Sequence, residues 1–178
     1  MDAPIELAPP DPAWPARFAQ ERDRLLPVLA RWLAGDLEHI GSTAVPGLAA
    51  KPVIDIMAPV HDLVSSRPAI AALQAIGYLH HVYGESQMHW FCTPSPQHRT
   101  HHLHLVPVGS ALWRERLAFR DALRGDAALA SAYAALKREL AVRHRDDRNA
   151  YAESKRPFIQ QVLAGSLGTQ PHLTTEAW

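Results

Sequence analysis

Asp55 interrupts the run Pro52-Val53-Ile54-Asp55-Ile56-Met57, and no other stretch constrains the fold of this chain as tightly. A short apolar run bounded by turn residues reads as a strand covered on both faces. A carboxylate is rarely placed in such a strand unless it is paired or binds a metal. Alternation puts Asp55 on the face it shares with Val53 and Met57. The plainer role is a structural aspartate that fastens a loop through backbone N–H groups.

The strand is fed by the loop Gly41–Lys51, which reads GSTAVPGLAAK. Gly41 and Gly47 permit close backbone approach, Ser42 and Thr43 bring hydroxyls, and the exposed N–H groups suit a phosphate. Lys51 would offset its charge. The loop is not a P-loop, because Lys51 lies four residues after Gly47 where that motif needs lysine directly after glycine. An ordinary Gly/Pro turn between two strands is the competing reading.

Histidine is the third signal. Of the eleven histidines, seven fall between His80 and His104, and the segment His101–Val106 reads HHLHLV. On a strand, His102 and His104 share one face while Leu103 and Leu105 pack on the other. Two histidines at this spacing, with an aspartate on a neighbouring strand, can hold one metal ion. Arg99, just before this strand, is suited to bidentate phosphate contact. For most of the remaining histidines a solvated sheet edge is the simpler expectation. Tyr133, Lys137 and Lys155 fall on helices, where lysines are usually solvated, and they carry little weight.

The order of elements gives the fold class. Asp11 is placed to cap a helix carrying Trp14, Phe18, Leu25, Leu29 and Trp32 on one stripe, with Arg17, Gln20, Glu21 and Arg24 pointing elsewhere. Pro27 predicts a kink or break in it. Strands are expected at Leu37–Ile40, Pro52–Met57, Tyr78–Tyr83, Met88–Cys92 and His101–Val106. Gly84-Glu85-Ser86 separates the third and fourth at hairpin distance. Helices are expected between Ser66 and Ile76 with Gly77 as its cap, then at Ala111–Leu123, Ala127–Arg143 and about Asn149–Leu163. The expected class is α+β or α/β, a mixed sheet with flanking helices and a helical C-terminal third over about 110–165. A single domain spans 1–165, and 166–178 is expected to be a flexible tail.

A formal net charge of +0 argues against a grip on long nucleic acid. A small phosphorylated molecule or nucleotide needs only a local basic pocket. Cys92 is the single cysteine, so no intramolecular disulfide is expected. The N-terminal residues lack the pattern of a secretory signal, and no apolar run reaches the roughly 18 residues of a membrane span. The expectation is a cytoplasmic protein without a membrane partner; the oligomeric state has no signature.

Several motifs together resemble the GrpB family from about Ile5 to Leu163. They are DPAWP, EHIGSTAVPGLAAKPVIDI, THHLHLV, FRDALR, YAALK and YAESKRPFI. The resemblance implies a nucleotidyltransferase-like fold, and the family also occurs fused to dephospho-CoA kinase. That superfamily carries Gly-Ser after one strand, Asp-x-Asp on the next and a third carboxylate on a later strand. Gly41-Ser42 fits the first element, and Asp55 fits the second aspartate. Val53 stands in place of the first aspartate, and His104 stands where the third carboxylate would be.

This departure matters, because two-metal transfer needs several carboxylates. One aspartate with histidines suits a single divalent ion, Zn or Mn more readily than Mg. The resemblance implies nucleotidyl or phosphoryl transfer on a small molecule. Asp55 would be ligand or base, His104 ligand or acid, His102 a further ligand, and Lys51 and Arg99 would offset charge. The alternative is a non-catalytic ligand-binding, folding or regulatory module; a metal-dependent hydrolase is a more remote third.

Overall fold

The apolar stripe of the first helix lies on one face of a five-stranded sheet in the computed structural model, which describes residues 4–82 and 84–167. Helix α1 runs Trp14–Leu29, and the Asp11 carboxylate accepts from the Ala13 N–H at 2.8 Å just ahead of it. Pro27 sits in the last turn, so its missing N–H and ring cost little, and the helix ends two residues later. Trp32 therefore lies beyond the helix, yet still packs partly buried on the same cluster. Glu21, expected to face away, is buried. It accepts from the Tyr78 hydroxyl at 2.9 Å and from Arg24 at 2.7 Å, a pairing that makes its burial tolerable.

The strands are β1 (Glu38–Ile40), β2 (Ile54–Val60), β3 (Leu79–His81), β4 (His89–Pro94) and β5 (Arg99–Pro107), in the spatial order β1-β2-β5-β4-β3. β2 and β5 run parallel and the other neighbours antiparallel, so the sheet is mixed. The histidine-rich strand β5 is thus an interior strand and not a solvated edge. Ile54, Ile56, Leu103, Leu105 and Phe91 face α1 and α2 (Ala69–Ala75) and form the main core with Leu25, Leu29 and Leu73.

The opposite face carries Ile40, Asp55, Met57, Trp90, Cys92, His102 and His104, and the helical third covers it. Helices α3 (Ala111–Gly125), α4 (Ala127–Arg143), α5 (Arg148–Ser154) and α6 (Arg156–Leu167) follow one another. Ser110, Asp126 and Asp147 cap α3, α4 and α5 by accepting from the N–H three residues on. The one helix expected over Asn149–Leu163 is two. Pro157 has no N–H to donate to the Glu153 carbonyl, so the chain breaks at Lys155 and restarts with Pro157 in the first turn of α6. Ser166 and Leu167 belong to α6 and not to a tail, and residues 168–178 lie outside the described residues. Among the described residues, no helix is long and apolar enough to cross a membrane.

Candidate functional site

Gly41 ends β1 directly opposite Asp55, because Ile40 is in register with Asp55 across the β1–β2 pair. Its backbone has φ 70° and ψ −172°, a region that is essentially glycine-only. A side chain there would also put its Cβ 2.5 Å from Asp55 Oδ2. The glycine opens the space into which the carboxylate turns. After it, Ser42–Ala44 form a 3-10 turn, and Val45 and Leu48 anchor the loop among Phe119, Leu123, Tyr133 and Ile159 of the helical third.

The loop is also pinned by cations. Arg124 Nε donates to Ala44 O at 2.9 Å, and Lys137 Nζ donates to Ser42 Oγ at 3.0 Å and Ala49 O at 2.6 Å. Thr43 is spoken for: its hydroxyl donates to Val53 O at 3.2 Å and lies 3.0 Å from His39 Nε2. Ser42, Thr43 and Gly41 nonetheless border the same cavity of about 410 Å³, with Lys51, Asp55, Arg99, His102 and His104. All eight residues singled out in the sequence therefore line one space.

At the floor of this cavity β2 and β5 place Asp55 beside two imidazoles. His102, in register with Asp55, has Nδ1 2.8 Å from Asp55 Oδ1, and His104 Nε2 lies 3.8 Å from the same oxygen. One donor atom from each residue lies within 4.8 Å of the other two. Burial opposes ionisation of Asp55 most strongly. The two imidazoles together outweigh it and hold the carboxyl well below its usual range.

Burial pushes His104 down to about 4, against the pull of Asp55, so it is neutral near neutral pH. Its Nδ1 touches the Met88 sulfur at 3.4 Å. The other ring nitrogen, Nε2, faces Asp55. Nε2 of His104 and Nε2 of His102 are both buried with no hydrogen-bond partner. Orphaned nitrogens beside an ionised carboxylate fit a divalent cation.

The walls are basic. Lys51, Arg99, Arg116, Arg120, Lys137, Arg148 and Lys155 line the cavity, with Asp55 as the single carboxylate among the described residues. Arg120 is already paired with Glu38 and Asp121, and the remaining cations give the cavity a basic lining inside a chain of zero net charge. Lys137 and Lys155, expected to be solvated, both face inward, and each ammonium lies 4.9 Å from the ring centroid of the tyrosine four residues earlier, Tyr133 and Tyr151. The repeated Tyr-x-x-x-Lys spacing in YAALK and YAESK was the available signal. It was hidden because α4 is alanine-rich all round, which leaves its apolar stripe weak. Arg116, Arg148 and Trp90 had no local pattern to mark them.

Burial lowers Lys137 to about 7 and Lys155 to about 8; Lys155 also feels Asp55, which raises it, and Arg116 and Lys51, which lower it. Both hold fewer protons folded than unfolded between these values and 10.5. Stability from this pair is therefore complete above that upper value and is lost as pH falls through the folded values. Between pH 7 and about 9 unfolding experiments on the free protein should show a rising contribution, at most ~1.4 kcal/mol per pH unit per lysine. Lys137→Met should flatten the rise. An unchanged slope in that variant would mean Lys137 is charged and solvated.

Comparison with known proteins now bears on what this site belongs to. The profile of the family described as GrpB protein matches residues 4–165. The chain belongs to the GrpB family. A UPF0157 protein of Pseudomonas aeruginosa is 38% identical over 178 residues, covering 96% of this chain and 71% of that one. The crystal structure of conserved protein GrpB from Enterococcus faecalis superposes with a TM-score of 0.81 at 33% identity, covering 92% of this chain and 98% of that one. A dephospho-CoA kinase of Mycolicibacterium paratuberculosis is 31% identical over 95% of this chain and 49% of its own length. There the GrpB-like region is part of a longer polypeptide.

Proposed function

We propose that this GrpB-family chain binds a small phosphorylated molecule, of the nucleotide class, on one divalent cation, and that the site serves phosphoryl or nucleotidyl transfer. The observation that carries the reading is the pairing of a basic cavity with a single Asp55–His102–His104 cluster whose two imidazole nitrogens lack partners. Asp55, His102 and His104 would hold the ion, and a donor set of two imidazoles and one carboxylate favours Mn or Zn over Mg. Bound there, the ion would supply Lewis acidity toward a phosphoryl oxygen.

The chain's own residues supply the rest. The backbone at Gly41 and Ser42 forms the rim, and Lys137 holds that rim in place through Ser42 and Ala49. Lys51 and Lys155 both line the cavity and offset charge that builds on a transferring group.

One observation favours binding without turnover. Val53 lines the cavity beside Asp55, so that wall offers an apolar side chain where a second carboxylate would enlarge the metal set. Thermal-shift titration with ATP and MnCl2 separates site from scaffold. A ligand at 100 times its dissociation constant should add about 2.7 kcal/mol. Lys51→Ala is expected to lose most of that ligand-induced shift while its own melting point moves little. A variant that melts early but responds fully to ATP would make the cleft scaffolding. Release of diphosphate or phosphate by the wild type, absent in Asp55→Asn, decides for transfer over binding.

A further inference from the structure

The side chains of Ser42 and Lys137 meet at 3.0 Å on the wall of the main cavity. Ser42 is half-buried and borders the open space, whereas Lys137 is only 2% exposed. The other hydrogen-bond partner of Lys137 Nζ is a neutral acceptor, Ala49 O at 2.6 Å, and the Tyr133 ring covers it from one side. Among the described residues, no carboxylate pairs with this amine. A buried ammonium without a counter-charge is costly, and loss of its proton is the usual relief. Burial, helped by the like charges of Lys155 and Arg138, holds Lys137 down at about 7.

A neutral amine reverses the sense of the contact with Ser42. Nζ keeps one N–H for Ala49 O and turns its lone pair to Ser42, whose hydroxyl then donates to it. Tyr133 is hydrogen-bonded to Ser42 as well; burial pushes its phenol up, so it keeps its proton and can donate to Oγ. A hydroxyl that can hand its proton to a buried lysine has the parts of a Ser–Lys nucleophile.

We propose that Ser42 is a nucleophile with Lys137 as its general base, and that it takes a phosphoryl group covalently from a nucleoside triphosphate. The class of donor rests on the reading of the cavity as a phosphate site; the nucleophile does not. As the bond from Ser42 Oγ to the γ-phosphorus forms, the bond from that phosphorus to the β,γ-bridging oxygen breaks. The Oγ proton passes to Lys137 Nζ, and a nucleoside diphosphate leaves. Ser42 ends as phosphoserine.

Two reagents test the two halves on the full chain, with the modified residue located by peptide mass spectrometry. A fluorophosphonate needs no phosphate pocket, because an activated hydroxyl displaces its fluoride directly. Modification at Ser42 is expected, with a rate that rises through pH about 7 and then levels as Lys137 loses its proton. Lys137→Met should slow it at least about 100-fold. Lys137→Arg, whose charge cannot be given up, should do the same. No modification at Ser42, a rate indifferent to pH, or full-rate modification in Lys137→Met overturns the nucleophile. If neither variant folds, the pH profile of the wild type decides alone. ATP with MnCl2 should then leave a phosphoryl group on Ser42. ATP that shifts the melting point yet leaves Ser42 unmarked overturns the covalent step and not the phosphate site. A fluorophosphonate adduct in a protein that ATP neither shifts nor marks overturns the phosphate site and leaves the nucleophile standing.

Discussion

Gly41→Ala is expected to do the most damage of any single small substitution in the chain. Two costs add. The first is conformational: at φ 70° and ψ −172° a residue with a Cβ is strained by about 1–3 kcal/mol. The second is steric, because the new Cβ would stand 2.5 Å from Asp55 Oδ2 and 3.1 Å from both Asp55 Cβ and Cγ. Asp55 cannot withdraw freely, since His102 holds its other oxygen at 2.8 Å. A total of about 2–4 kcal/mol follows, or a fall in melting temperature of roughly 5–10 °C for a chain of this size. Any metal or phosphate response should vanish as well, because the carboxylate must leave its place. Differential scanning calorimetry checks the first part and a ligand titration the second. If Gly41→Ala melts within a degree of the wild type, the loop does not approach Asp55 as described.

The reach of the sequence can be judged from the same residues. The Gly41-Ser42 turn, the Asp55 strand and the alternation of His102 and His104 with Leu103 and Leu105 are local patterns, set by strand geometry over a few residues. They predicted a common space, and Gly41, Ser42, Asp55, His102 and His104 all line it. The mixed α+β sheet followed from element order in the same way. What the sequence withheld is long-range. Lys137 reaches back across 95 residues to Ser42, and Arg120 reaches 82 residues to Glu38 at 2.6 Å.

Nothing in a helix-period pattern distinguishes a lysine that turns inward from one that is solvated; Lys137 lies on α4, whose apolar stripe is weak, and Lys155 lies at the break between α5 and α6. The split of α5 from α6 was legible in Pro157 and was missed because the apolar spacing continued through it. The interior place of β5 depended on pairing with β2, a contact between strands about 47 residues apart, which no local rule supplies.

Asp55→Asn carries the second large effect. The amide keeps the volume and one acceptor oxygen for the His102 Nδ1–H, so the fold should survive. The charge that makes three donors into a cation site is gone, and a divalent ion should bind at least about 100-fold more weakly. His104→Ala should act in the same direction by removing an imidazole whose Nε2 has no other partner. Neither change removes Lys51, Lys137 or Lys155, though loss of the Asp55 charge lowers Lys155 further.

Calorimetric titration of MnCl2 into metal-free protein purified without a histidine tag, for the wild type and Asp55→Asn side by side, is the most direct measurement. One ion per chain is expected in the wild type, with affinity lost in Asp55→Asn and a tighter subsequent response to ATP only when Mn is bound. Equal Mn affinity in the two proteins, or ATP binding indifferent to both the ion and Asp55, would contradict a single-metal phosphate site on this sheet.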